Sequence, residues 1–159
     1  MDLDYYRANG RAKAVEWRIN MDFWEWDEKF TTNVQEFDDH HKELLNLFNK
    51  VYQQVFECGD LEEERNLTET TLVELLEYVK YHLLAEEKLM IQFAYPEYLE
   101  HKKQHEYYID EVNKFVNQHN NGAVALSFPT FMFLKDWIIK HILRSDKEYG
   151  QFFNDKGIK

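Results

Sequence analysis

Residues 72–90 read LVELLEYVKYHLLAEEKLM. Leu72, Leu75, Val79, His82, Glu86 and Met90 recur at spacings of three and four, the period that lays side chains along one face of an α-helix. Such an apolar stripe marks the face that a helix turns into a core. Two of its members, however, are a histidine and a glutamate one turn apart. A core accepts such groups only when something satisfies them.

The same period appears on either side. A first helix is expected from about Asp38 to Glu57, with His41, Leu44, Phe48, Val51 and Val55 on one face, stopping at Gly59. Asp60 is positioned to cap the second helix, with Glu62, Glu63 and Glu64 favouring its first turn, and this helix runs to Ile91 or Phe93. Tyr95-Pro96 marks a third start, with proline at the first helical position. That helix aligns His101, His105, Tyr108, Val112, Phe115 and Val116 and ends at Asn120-Asn121-Gly122. Pro129 opens a fourth, with Leu134, Trp137, Ile138, His141 and Ile142 inside, fading near Gly150.

Four long helices joined by short turns imply an all-α, antiparallel up-down-up-down four-helix bundle. Residues 1–36 show no sustained period, and their aromatic stretch WRINMDFWEW is expected to pack as an irregular arm. The expected organisation is an arm over 1–23, one bundle domain over 24–153 and a tail over 154–159.

Composition narrows the class. The 159 residues suffice for one core, and twelve Phe, ten Tyr and four Trp make that core ring-rich. Two prolines and five glycines favour long helices over many short strands. The net charge of −11 argues against nucleic acid and anionic membrane as partners. One cysteine, Cys58, cannot form an internal disulfide. No window approaches the roughly 18 apolar residues of a membrane span, and the N-terminus lacks the apolar run of a signal peptide. A cytoplasmic location is expected; no protein partner can be named.

The core-facing stripes together contain His41, His82, Glu86, His101, His105 and His141, and Asp146 follows five residues later. Burying seven such groups unpaired would cost several kcal/mol each, on the order of a domain's whole net stability or more. His82/Glu86 alone could be an ordinary helical pair, and His101/His105 alone could lie on a solvated face. A lone His141 beside Trp137 could simply bond a carbonyl. Placed on all four helices, with two pairs spaced i,i+4, they read instead as ligands. Five imidazoles and two carboxylates are too many for one first-row ion and suit two. Nitrogen and oxygen donors without thiolate fit iron, manganese or zinc.

The runs WEWDEKFTTNVQEFDDHHKELLNLFN (24–49), YVKYHLLAEEKLM (78–90), YPEYLEHKKQHEYYI (95–109) and WIIKHILRSDKEY (137–149) resemble the bacterial hemerythrins, with the ligand motifs in the same order. The resemblance implies two non-heme iron ions and reversible dioxygen binding, in a carrier, store, scavenger or sensor rather than an enzyme. By the same resemblance His101, His105 and His141 hold one iron, and His41 and His82 the other. Glu86 and Asp146 bridge them alongside a solvent-derived oxo or hydroxo group. Dioxygen takes the open position of the second iron, in a pocket of Leu44, Leu83, Trp137, Ile138 and Ile142; as plain residues these five are core packing. The alternative is a di-iron oxidoreductase that reduces dioxygen or peroxide at the same site, and a third class is an interaction module with structural metals.

Some positions need separate readings. Asp146 lies about 140° from the direction of His141 on an ideal helix, so a local distortion is expected between them. Leu83 stands where the family usually has phenylalanine. Tyr149, one turn past Asp146, could bond a bridging carboxylate or be conventionally paired. His119 is expected to favour the dipole at a helix end. Of the adjacent His40 and His41, only one can face the core; His41 takes that face, and His40 is expected to be solvated or capping, with a supporting role beside the site as the alternative. Asp38 is better placed to cap the helix.

Overall fold

The computed structural model describes the backbone of residues 24–57, 61–120 and 128–159, and the side chains of 24–54, 70–114 and 130–159. Expectations for residues 1–23, Cys58, Gly59, Asp60 and the Asn121-Gly122 turn lie outside the described residues. So do those for the side chains of Val55, Glu62, Glu63, Glu64, Phe115, Val116, His119 and Pro129.

After a 3-10 turn at Glu28–Phe30 come α1 (Gln35–Glu57), α2 (Leu61–Gln92) and α3 (Tyr98–Asn120). The fourth rod is α4 (Phe128–His141), a π-helical turn (Ile142–Asp146) and α5 (Lys147–Asp155). Among the described residues no helix is long and apolar enough to cross a membrane.

Two apolar clusters organise the bundle, one around Leu44, Phe48, Val79, Tyr108 and Ile138, the other around Phe37, Met90, Tyr95, Tyr149 and Phe153. Along α1 the chain passes from the second cluster (Phe37) to the first (Leu44). Along α2 it passes from the first (Val79) to the second (Met90). The third rod runs back from Tyr95 to Tyr108, and the fourth returns from Ile138 to Tyr149. Directions therefore alternate, and the chain is an up-down-up-down four-helix bundle. On every rod the metal-competent residues fall in the interval between the two clusters.

α1 starts three residues earlier than expected, because Asp38 does not cap it. Its buried carboxylate instead reaches back, accepting from the Thr32 amide (2.6 Å), the Thr32 hydroxyl (2.8 Å) and the Thr31 hydroxyl. The tied-down strap lies across α5, where Asn154 Nδ2 donates to the Thr32 carbonyl at 2.9 Å and Lys147 Nζ to the Thr31 carbonyl at 2.5 Å. Gly150 makes that approach possible, since a Cβ there would lie 2.6 Å from the Thr32 oxygen. Upstream, the Trp24 amide donates to Asn49 Oδ1 (3.2 Å), and Asn49 Nδ2 donates to the Trp24 carbonyl (3.1 Å). The Trp24 ring packs on Phe131 under the ammonium of Lys135. Of the aromatic stretch expected to pack irregularly, residues 24–26 are described, and they lie outside any helix.

α3 begins at Tyr98, two residues after Pro96, because α2 ends in a tight cap. Tyr95 N donates to the Met90 carbonyl (2.8 Å) and Ala94 N to that of Ile91 (3.2 Å), with Ala94 at φ +51°. This is the left-handed position that glycine usually fills. An L-residue costs about 1–2 kcal/mol there, offset partly by glycine's larger unfolded-state entropy. Ala94→Gly is therefore expected to stabilise the chain by about 0.5–1 kcal/mol, raising Tm by roughly 1–4 °C in a thermal melt. A lower Tm would contradict this account of the cap. The last residues close the same way, with Gly157 at φ +80° and Ile158 N donating to the Phe153 carbonyl.

Candidate metal centre

All seven residues singled out by the sequence converge between the clusters, and each is buried. They form two overlapping groups, Glu86 with His101, His105 and His141, and Glu86 with His41, His82 and Asp146. Within each group, the ligand atoms lie within 4.8 Å of one another.

The carboxylates link the two sets. Glu86 Oε2 is 3.3 Å from His105 Nε2 and 3.6 Å from His101 Nε2, while its Oε1 is 3.4 Å from His82 Nε2 and 3.7 Å from His41 Nε2. Asp146 Oδ1 is 3.2 Å from His141 Nε2, and its Oδ2 is 3.3 Å from His41 Nε2. Each carboxylate turns one oxygen toward each histidine set. The π-helical turn brings Asp146 back to this layer, as the five-residue spacing led us to expect; its wider turn re-aims a residue that a straight α-helix would point away.

These residues fit bound cations. His141 Nε2 lies 3.0 Å from His105 Nε2 and 3.2 Å from His101 Nε2, so three ring nitrogens face one point. His41 Nε2, Glu86 Oε2 and both Asp146 oxygens are buried and have no hydrogen-bond partner among the described residues. Lone pairs crowded this way require protons or metal ions between them.

In the metal-free chain protons play that part. Burial opposes the charged form of His41, but the Asp146 and Glu86 carboxylates outweigh it and raise its pKa to about 9. For His105 burial is likewise outweighed, by Glu86 and Glu87, again giving about 9. Burial dominates at His82 and His141, which fall to about 3 and about 4. Burial pushes the Glu86 carboxyl up, yet His82, His101, His105 and His41 hold it well below the usual range. Burial and Glu86 raise the Asp146 carboxyl, and His141 and His41 bring it down further.

Tyr149 donates its hydroxyl to Glu86 Oε1, the first of its two expected roles. Burial, then the Asp146 and Glu86 carboxylates, hold its pKa well above 10, so it remains a neutral donor. Leu44, Leu83, Ile138 and Ile142 are buried in the first cluster, and half-buried Trp137 packs against it. The Trp137 ring stacks on His141 at 4.5 Å and on Tyr108 at 4.3 Å.

His40 departs from the first of its two readings. Only 8% exposed, it is neither solvated nor capping. Its ring lies 5.0 Å from Tyr81, 5.6 Å from His82, 6.0 Å from Tyr78 and 6.1 Å from Phe37, and burial lowers its pKa. The covering rings come from α2, which the pattern of α1 alone does not reveal. Glu87 and Gln104 were also missed by the sequence reading. Glu87 Oε1 is 3.1 Å from His105 Nδ1, and Gln104 Oε1 is 3.1 Å from His141 Nδ1. Their one signal in the sequence is that each adjoins a ligand-competent residue.

Comparison with known proteins identifies the family. Residues 32–153 match the family described as Hemerythrin HHE cation binding domain. The chain is 28% identical to the bacteriohemerythrin of Methylococcus capsulatus over 122 residues, covering 77% of this chain and 89% of that protein. It is 30% identical to the myohemerythrin of Sipunculus nudus over 124 residues, covering 78% and 88%. A wild-type hemerythrin crystal structure superposes with a TM-score of 0.75 at 27% identity, covering 82% of this chain and 97% of that one.

Proposed function

From the premise that this chain belongs to the hemerythrin family, we propose that it holds two iron ions and binds dioxygen reversibly. His101, His105 and His141 would hold one ion and His41 and His82 the other, with Glu86 and Asp146 offering an oxygen to each. The observation that carries this reading is that each carboxylate turns one oxygen toward each histidine set.

Ferrous iron held there supplies the electrons that reversible dioxygen binding requires. The rest of the work is done by the chain. Five imidazoles, neutral as ligands, add no negative charge, which favours reversible binding over the higher-valent iron of carboxylate-rich cages. Tyr149 donates to Glu86 and holds that carboxylate in place. Leu44, Leu83, Trp137, Ile138 and Ile142 keep water and protons from the side where dioxygen enters, limiting irreversible oxidation. Leucine at position 83, in place of the family's usual phenylalanine, widens that side. The chain acts as a carrier, store, scavenger or sensor in the cytoplasm.

The test is anaerobic reconstitution with ferrous iron, then air and repeated deoxygenation while the visible spectrum is followed. Two irons per chain and a visible band that comes and goes with dioxygen are expected. Irreversible conversion to the diferric form would favour an oxidoreductase that reduces dioxygen or peroxide. Failure to take up two irons would sink both readings.

A further inference from the structure

The two histidine sets differ in what holds the rings from behind. In the three-histidine set, His105 Nδ1 lies 3.1 Å from Glu87 Oε1, and His141 Nδ1 lies 3.1 Å from Gln104 Oε1. Both supports are themselves held. The other Glu87 oxygen accepts from Lys102 Nζ at 3.4 Å, and the Ser145 hydroxyl, inside the π-helical turn, donates to Gln104 Oε1 at 2.7 Å. In the two-histidine set, His41 Nδ1 and His82 Nδ1 are buried and find no hydrogen-bond partner among the described residues.

A ligand imidazole must keep its proton on the far nitrogen and aim the near lone pair at the ion. An acceptor behind the ring fixes the tautomer, sets its orientation and raises its basicity. A ring with no acceptor gains none of these, and on binding it leaves a buried N–H unsatisfied.

Resting on the di-iron reading above, we propose that Glu87 and Gln104 are positioning residues that make the three-histidine set the anchor of the centre. That set loads first and holds its ion longest, while the two-histidine position fills second and exchanges faster. Glu87 has the larger share, because a carboxylate strengthens the imidazole donor more than an amide does.

The test is titration of the metal-free protein with Co2+, followed by visible absorption, and with Zn2+, followed by calorimetry. Two steps of one equivalent are expected, the first about tenfold or more tighter. Glu87→Leu should weaken the first step by about 10–100-fold and leave the second affinity unchanged, merging the steps. Glu87→Gln, whose amide oxygen still accepts, should recover part of that loss. In NMR spectra of the Co2+ form, the shifted His105 Nδ1–H resonance should exchange slowly in the wild type and broaden in Glu87→Leu, a change that general loosening of the fold would not confine to one ring. Circular dichroism checks the metal-free variants, and Glu87→Gln carries the test if Glu87→Leu does not fold. Two equal steps in the wild type, or equal weakening of both steps by the variants, would overturn this proposal alone. Uptake of fewer than two ions would overturn it together with the reading beneath it.

Discussion

Glu86→Ala is expected to cost the chain both metal ions, whereas His82→Ala should cost only one. Glu86 is the residue common to both ligand groups, with one oxygen facing each. Its removal takes a donor from each position and half of the negative charge that two divalent cations would meet. It also strips the acceptor from the Tyr149 hydroxyl and leaves buried imidazolium with one carboxylate in place of two. Breaking a buried ion pair from one side typically costs about 3–5 kcal/mol, so the metal-free variant should also melt earlier. His82 pairs with Glu86 through Oε1 and belongs to the two-histidine group. Iron per chain after reconstitution should fall from two toward zero in Glu86→Ala and toward one in His82→Ala. Glu86→Gln, which keeps size and an acceptor for Tyr149, separates lost charge from lost packing. If His82→Ala empties both positions equally, the division into two sets is wrong.

The residues that reveal the fold do so through period. His82 and Glu86 are visible as exceptions because they interrupt a stripe of Leu72, Leu75, Val79 and Met90, and the same holds for His41 among Leu44, Phe48 and Val51. Asp146 was legible by misfit: its spacing from His141 is wrong for a straight helix, and the chain resolves the misfit with a π-helical turn. Contacts between helices were less legible. The burial of His40 depends on Tyr78 and Tyr81 from α2, and the bond of Glu87 to His105 spans two helices. Asp38 reads as a cap from composition, but Thr31 and Thr32 compete for its carboxylate and win. Ala94 occupies a backbone position whose usual signal is glycine, so the left-handed cap after α2 carries no mark in the sequence, although Tyr95-Pro96 does mark where the helix stops.

Removing the metal is expected to lower Tm by about 10–20 °C and to change how stability responds to pH. An ion present at about a hundred times its Kd adds roughly 2.7 kcal/mol, so two add about 5, and each kcal/mol moves Tm by about 2–4 °C in a chain of this size. In the metal-free chain the pH response has two limbs. His41 and His105 hold their protons more tightly folded, with pKa values raised from 6.5 to about 9. The stability they contribute is full below pH 6.5 and is lost as pH rises through 9. His82 and His141 hold protons less tightly folded, at about 3 and about 4. Their contribution is full above pH 6.5 and is lost as pH falls toward those values, because the unfolded chain then binds the extra protons. The depressed Glu86 and Asp146 steepen the acid limb at its lower end. The two limbs meet near pH 6.5, where the metal-free Tm should be highest. In the loaded chain the imidazoles are committed to metal, so the alkaline decline between pH 6.5 and 9 should vanish and metal affinity should rise across that interval. Melts between pH 4 and 9.5, with and without chelator, test both parts. A metal-free Tm that climbs steadily to pH 9 would show that His41 and His105 do not carry the protons assigned to them.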